Sequence, residues 1–249
     1  MKVSQKEIER LEKNEHRFFS LWSKAIDLDS AKMFLNRNFL DDLLFNRVSA
    51  SYSKRNHSGL VDKALTYFQK AKISPTFFIA EHHTKLRQEL LKNSFKTVNS
   101  FNSMKLKEFV PYSGKKTEVS IVDAKSIAVW IATYMKSFDI GASFKTEVSR
   151  RAEKCLKSKN CVLYAARVGG EPAGTSLTYI EGGITGFYCI GTIPKFRGIG
   201  IASQMLGVAI SGARKSDLQC LQNLESDNIR AFYEKRGFET VFVKKVYQR

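Results

Sequence analysis

The residues with the clearest capacity for chemistry lie in Gly186–Ala213, GFYCIGTIPKFRGIGIASQMLGVAISGA. An apolar strand runs into a turn broken by Pro194, and Arg197-Gly198-Ile199-Gly200-Ile201-Ala202 then opens a helix. On that helix Ala202, Met205, Leu206, Ala209 and Ala213 keep one apolar face. Glycines at a strand-to-helix turn let the backbone approach a ligand closely. The first amides of a helix have no partner within it, and the helix dipole adds positive potential there, so such a start accepts phosphate oxygens. Arg197 adds a permanent cation beside it. Two familiar phosphate loops are excluded: no Gly-Lys-Ser/Thr follows the glycines, and no G-x-G-x-x-G opens an early βαβ unit. The competing reading is a Gly-rich helix start that only packs tightly.

Other chemical groups are less organised. Cys155, Cys161, Cys189 and Cys220 show no C-x-x-C spacing, so buried thiols are expected rather than a metal site or a disulfide framework. His82 and His83 form a pair that no neighbouring Cys or H-E-x-x-H pattern completes, so solvated residues at a helix start, and no metal, are expected. Glu225, at the end of a strand, is the nearest acidic candidate for a general base, and Glu181 is a weaker one of the same kind. A solvated strand-end carboxylate is the alternative for both.

The elements that must position these residues read more clearly in the second half. Helix is expected over the first 35 residues, from Ile8, Leu11, Phe18, Phe19 and Trp22. Strand follows over Asp42–Ala50, helix over Leu60–Ala71, strand over Thr76–Ala80, helix over Glu81–Asn93 and extended chain over Phe95–Phe109. Pro111–Lys116 has linker composition and divides residues 1–115 from 117–249. Beyond it the order is strand Glu118–Val122, helices Ala124–Phe138 and Lys145–Ser158, then a hairpin Cys161–Arg167 and Gly174–Ile180. Strand Gly186–Thr192, helix Gly200–Ala213, strand Leu218–Leu224, helix Asp227–Arg236 and strand Phe238–Val246 complete an α/β chain.

The two halves share a spacing. Ile190 is followed 31 residues later by Leu221, and Leu221 17 later by Phe238; Val48 is followed 30 later by Phe78, and Phe78 17 later by Phe95. This reads as a degenerate internal duplication, with one fold carrying a helical N-terminal extension as the alternative. The first half has lost the loop: Ser53-Lys54-Arg55-Asn56-His57-Ser58-Gly59 stands where the second has its glycine pair.

Composition bounds the function class. Hydrophobic residues at 43% suffice for a packed core, which excludes global disorder. No apolar run reaches the roughly 18 to 20 residues that cross a bilayer, and Met1–Arg17 has no apolar leader core, so a cytoplasmic protein without membrane partners is expected. The net charge of +17 is spread, with +9 in residues 1–120 and +8 in the remainder, so it favours anionic ligands without forming a nucleic-acid arm.

The segment Arg197–Ala202, in its place between strand and helix, resembles the GNAT superfamily of N-acetyltransferases, whose loop reads R/Q-x-x-G-x-G/A. Arg197, Gly200 and Ala202 match, Gly191-Thr192-Ile193-Pro194 looks like the family's entry to the loop, and SDNIRAFYEKRGF at Ser226–Phe238 looks like its last helix. The resemblance covers residues 117–249 and implies the GNAT fold, a mixed sheet flanked by helices, with two tandem GNAT-like halves if the duplication is real. It implies acetyl-CoA as co-substrate and an amine of unknown identity as acceptor. The pyrophosphate of coenzyme A would sit on Arg197, Gly198, Ile199, Gly200, Ile201 and Ala202, and the pantetheine arm along Tyr188, Ile190, Gly191 and Thr192. Tyr233 matches the tyrosine that protonates the departing thiolate. Ser226 stands where many members have Asn, seven residues before that tyrosine, and it also suits a helix N-cap. A rival of another class is a silent GNAT-like basic module that contacts nucleic acid; most of the aromatics it would use fall at core spacing.

Overall fold

A computed structural model describes residues 4–54, 56–114, 117–213 and 215–249. Residues 115–116, the end of the expected linker, and Arg55 of the expected Ser53–Gly59 loop lie outside them. In chain order the elements are α1 (Gln5–Trp22), β1 (Lys24–Asp27), β2 (Ala31–Leu35), β3 (Arg47–Ala50), α2 (Leu60–Ala71), β4 (Thr76–Ala80), α3 (Thr84–Lys92) and β5 (Lys96–Leu106). There follow β6 (Glu118–Ile121), α4 (Ile127–Ser137), α5 (Lys145–Leu156), β7 (Cys161–Val168), β8 (Glu171–Glu181), β9 (Ile184–Thr192), α6 (Ile201–Gly212), β10 (Leu218–Leu224), α7 (Arg230–Glu234) and β11 (Phe238–Gln248). The chain folds as two compact units, Met1–Met104 with Gln222–Ala231 and Thr240–Arg249, and Lys105–Leu221 with Phe232–Glu239. Among the described residues no helix is long and apolar enough to cross a membrane.

In the first unit the strand order is β1-β2-β3-β4-β11-β5. β3 runs parallel to β4, with Val48 opposite Phe77, and β11 runs antiparallel to β4, with Val246 opposite Phe78. The helix expected over the first 35 residues ends at Trp22, because Ser23 is extended and its amide closes the last turn on Phe19. The chain then forms the β1–β2 hairpin, with Asp29 at φ 57° in its turn. The strand expected from Asp42 begins only at Arg47. Asp42 holds a turn instead, its carboxylate accepting from the amides of Leu44 and Phe45. Val48, Ala64, Phe68, Phe77, Leu90 and Phe95 join α2 and α3 to the sheet as one apolar core.

A second core of this unit is ionic. Arg47 and Glu15, both with fully buried side chains, pair at 2.7 Å, and the guanidinium lies 4.0 Å from the Phe19 ring centroid and 4.9 Å from that of Phe78. Lys244 pairs with Glu12 at 2.5 Å and donates to Ser49 Oγ, which also meets His16 Nε2 at 3.0 Å. Burial and the nearby Lys244 and Arg47 cations hold the His16 pKa well below the ordinary histidine value. Removing one partner of such a pair strands a buried charge and typically costs about 3–5 kcal/mol, whereas replacing both by apolar groups costs far less. Glu15→Ala is therefore expected to lower unfolding free energy by about that amount in urea titration, and Arg47→Met with Glu15→Leu to recover most of it. Equal losses in the single and double variants would contradict this account.

In the second unit the order is β10-β9-β8-β7-β6. β6 to β9 form an antiparallel meander, and β10 joins β9 in parallel, so the sheet is mixed. The two expected glycine turns are present: Gly169 and Gly170 link β7 to β8, and Gly182 and Gly183 link β8 to β9, all at positive φ. These are the turns whose twist suits a two-residue hairpin. Ala166, Ala173, Ile201 and Met205 bury α6 on the sheet. The fit is close at Gly174, where an added Cβ would stand 2.8 Å from Met205 Cε. α4 is anchored by Trp130, whose Nε1 donates to Tyr164 O at 3.1 Å.

Candidate functional site

The site is assembled on β9 and the start of α6. Parallel pairing of β9 with β10 runs from Leu218↔Ile184 to Leu221↔Phe187, ending one residue before Tyr188. On its other edge β9 changes register, with Leu177 opposite Tyr188 but Thr175 opposite Gly191, so Cys189 and Ile190 together face Ser176. Cys189 takes φ 54°, and the Thr175 hydroxyl donates to its carbonyl at 3.1 Å. A β-bulge of this kind breaks the ladder and re-aims backbone groups. The sequence carried no sign of it, since Cys is not a residue that favours a left-handed backbone. Burial, reinforced by Cys161, pushes the Cys189 thiol pKa upward, so it stays protonated at neutral pH. Cys155 and Cys220 are buried and Cys161 half-buried.

Beyond Thr192 a short helical turn at Pro194–Phe196 leads to Arg197, and Gly200 caps α6 at φ 88° with no side chain capping it. Gly198 is also left-handed, and a Cβ there would meet nothing within 4 Å. Open backbone followed by an uncapped helix start supplies the donors that a diphosphate accepts from, so these residues fit coenzyme A. Arg197 is held in the loop itself, with Nε donating to Thr192 O at 3.2 Å and Nη2 to Ser137 O at 3.1 Å. Its exposed cation therefore stands at a defined place beside the helix start. Gly191 has a packing role as well, since a Cβ there would lie 2.5 Å from Phe138 Cε2. Tyr188 and Ile201 are buried, whereas Ile199 is 48% exposed at the tip of the loop.

Tyr112 is the residue that sequence reasoning missed. It lies in a segment of linker composition, yet its hydroxyl donates to Ile199 O at 3.3 Å and its ring lies over Gly200, where a Cβ would be 2.2 Å from Cζ. Arg236 faces the same ring at 5.9 Å.

Tyr233 is buried on α7, its ring 6.1 Å from Phe238, which in turn lies 6.1 Å from Phe187 of β9. The aromatic chain Phe187–Phe238–Tyr233 thus connects Tyr233 to the strand that leads into the loop. Gly237, near the end of SDNIRAFYEKRGF, has φ 91°, and a Cβ there would fall 1.6 Å from Glu108 O. Helix α7 is shorter than expected because Asn228 is left-handed, which separates the turn Glu225–Asp227 from Arg230–Glu234. For the same reason Ser226 is not the N-cap of α7.

Ser226 belongs to the first unit, where its hydroxyl accepts from Asn99 Nδ2 at 2.7 Å and its amide donates to Asn99 Oδ1 at 3.3 Å. Glu225, in the same unit, accepts from Asn102 Nδ2 at 2.7 Å and pairs with Arg230 at 3.4 Å. Asn102 in turn reaches Asn223 at 3.2 Å. Glu181 accepts from the Tyr179 hydroxyl at the hairpin end of β9, the end away from Thr192. Of the expected histidine pair, His82 is exposed but His83 is buried, with Nε2 2.9 Å from Ser51 O.

Residues 159–240 match the model of the acetyltransferase (GNAT) domain. No curated protein matches the sequence. Among solved structures, a GCN5-related N-acetyltransferase from Kribbella flavida is similar with TM-score 0.71 and 13% identity, over 100% of this chain and 96% of that one. A GCN5-related N-acetyltransferase from Sphaerobacter thermophilus gives 0.65 and 14%, over 88% and 76%. A functionally unknown conserved protein from Staphylococcus epidermidis ATCC 12228 gives 0.66 and 13%, over 91% and 94%. At such identities the similarity is one of fold. Residues 159–240 thus match the acetyltransferase (GNAT) domain, and the chain shares the fold of the two GCN5-related N-acetyltransferases over most of its length.

Proposed function

We propose that the protein transfers an acetyl group, or a related short acyl group, from acetyl-CoA to a primary amine, with residues 117–249 as the transferring half. The observation that carries this reading is the sequence of backbone features along β9 and into α6: a bulge at Cys189, open backbone at Gly198 and a left-handed cap at Gly200. In this reading the amides of Gly198–Ala202 hold the diphosphate, and Tyr188–Thr192 aligns the pantetheine arm through backbone hydrogen bonds. The amine nitrogen attacks the thioester carbonyl carbon, and amides re-aimed by the bulge stabilise the developing oxyanion. Collapse of the tetrahedral intermediate breaks the C–S bond. The Tyr233 hydroxyl gives its proton to the departing sulfur, and the ammonium formed on the nucleophile loses its proton to water or to a carboxylate.

Release of CoA thiol from acetyl-CoA, measured against a panel of primary amines, tests the reaction. Amine-dependent release with an acetylated product of the expected mass is the predicted result. Acetyl-CoA turnover that no amine accelerates would contradict amine transfer.

A further inference from the structure

The first unit contains a cavity of its own, apart from the Arg197–Ala202 loop. The loop before α2 and the start of α3 border a cavity of about 590 Å³, lined by Asn56, His57, Ser58, His83, Thr84 and Lys85 among others. This size suits a small metabolite rather than a lone water cluster. His57 is only 8% exposed; its Nδ1 lies 3.0 Å from Ser30 Oγ, its Nε2 makes no hydrogen bond, and burial lowers the ring's pKa against an opposing contribution from the Lys54 backbone. The two neighbouring histidines are satisfied, His82 by Tyr52 O at 2.8 Å and His83 by Ser51 O at 2.9 Å. The three rings form a contiguous cluster, with His57 edge-on to His83 at 4.5 Å between centroids and His82 tilted against His83 at 4.1 Å. A buried polar nitrogen without a partner costs on the order of 1–3 kcal/mol, a cost that a ligand atom bonded to Nε2 removes.

The surrounding groups specify the ligand's charge. Helix α2 starts at Gly59, with φ 66°, and α3 starts at His83, and neither start is capped by a side chain. Both therefore present the positive end of a dipole and amide donors. Lys85 adds a cation, and Glu89 is the carboxylate among the lining residues, its pKa raised by burial and by Asp62. Gly59 holds at α2 the left-handed cap that Gly200 holds at α6, but His57 and Ser58 stand where the second loop has Gly198 and Ile199. An imidazole thus replaces the open backbone, so recognition here works through a side-chain donor.

We propose that this cavity binds a small phosphate-bearing anion, held by His57 Nε2, Lys85 and the starts of α2 and α3, at a site separate from the Arg197–Ala202 loop. The chain has four histidines, so ring signals of the full-length protein labelled with ¹⁵N-histidine form a short, assignable set. Titration with inorganic phosphate is expected to shift the His57 ring nitrogens saturably and to leave His16 unmoved. Lys85→Glu, an exposed change, is expected to weaken the midpoint about tenfold or more, equivalent to about 1.4 kcal/mol. Gly200→Glu is expected to leave the phosphate titration unchanged, which separates this site from the acetyl-CoA loop whether or not that loop binds acetyl-CoA. No saturable shift at His57, a shift that survives Lys85→Glu undiminished, or one that Gly200→Glu removes would overturn the proposal.

Discussion

Tyr233→Phe is expected to lower kcat by about 10²- to 10⁴-fold while changing acetyl-CoA affinity little, the range that general acid catalysis typically contributes. The variant removes one hydroxyl and keeps the ring that packs against Phe232 at 5.1 Å and Phe238 at 6.1 Å. Packing of α7 should therefore persist, and the loss should fall on the step in which sulfur leaves. Paired measurement of kcat and of the acetyl-CoA dissociation constant on both proteins separates the roles. An unchanged kcat without a pre-steady-state burst would reduce Tyr233 to a packing residue. An unchanged kcat with a burst would place product release, not thiolate departure, at the limiting step. A large loss of affinity at normal kcat would make the hydroxyl a binding group instead of an acid.

Gly200→Glu is expected to abolish measurable acetyl-CoA binding in a chain that still folds. Three effects coincide at this position. The backbone sits at φ 88°, which a side chain tolerates at a cost of roughly 1–2 kcal/mol. The new Cβ would meet the Tyr112 ring at 2.2 Å and displace it from Ile199. The added carboxylate would also stand beside the amides that the diphosphate needs, repelling it directly. Circular dichroism checks the fold and calorimetry the affinity. Wild-type affinity in the folded variant would remove the phosphate-loop reading.

Much of the second unit was legible because its local signals agree with one another. The Gly-Gly turns place β7, β8 and β9 within a few residues of their expected ranges, and β10 is found at Leu218–Leu224 as read. The helix start was legible for the same reason, since α6 begins at Ile201 with the left-handed Gly200 before it. Where reading failed, a polar side chain or an unusual backbone had overridden periodicity. The helical spacing of Ile8 to Trp22 suggests helix as far as residue 35, but Ser23 and the Asp29 turn redirect the chain into β1 and β2. The apolar run Leu43–Leu44–Phe45 looked like strand, but Asp42 binds its amides and bends it into a turn. The bulge at Cys189 and the placement of Tyr112 over Gly200 depend on contacts distant in sequence, which composition and spacing do not encode. The segments 222–231 and 240–249, which group with the N-terminal residues, depend on such contacts too.

The central claim is that one coenzyme A site lies at the glycine pair of the second half. The first half has a single helix-start glycine, Gly59, with His57 where the open backbone would be, so it lacks the corresponding cradle. Calorimetric titration of the full-length protein with acetyl-CoA tests this most directly. Saturable binding of one molecule per chain is the predicted result. Absence of saturable binding, or a stoichiometry near two, would contradict it.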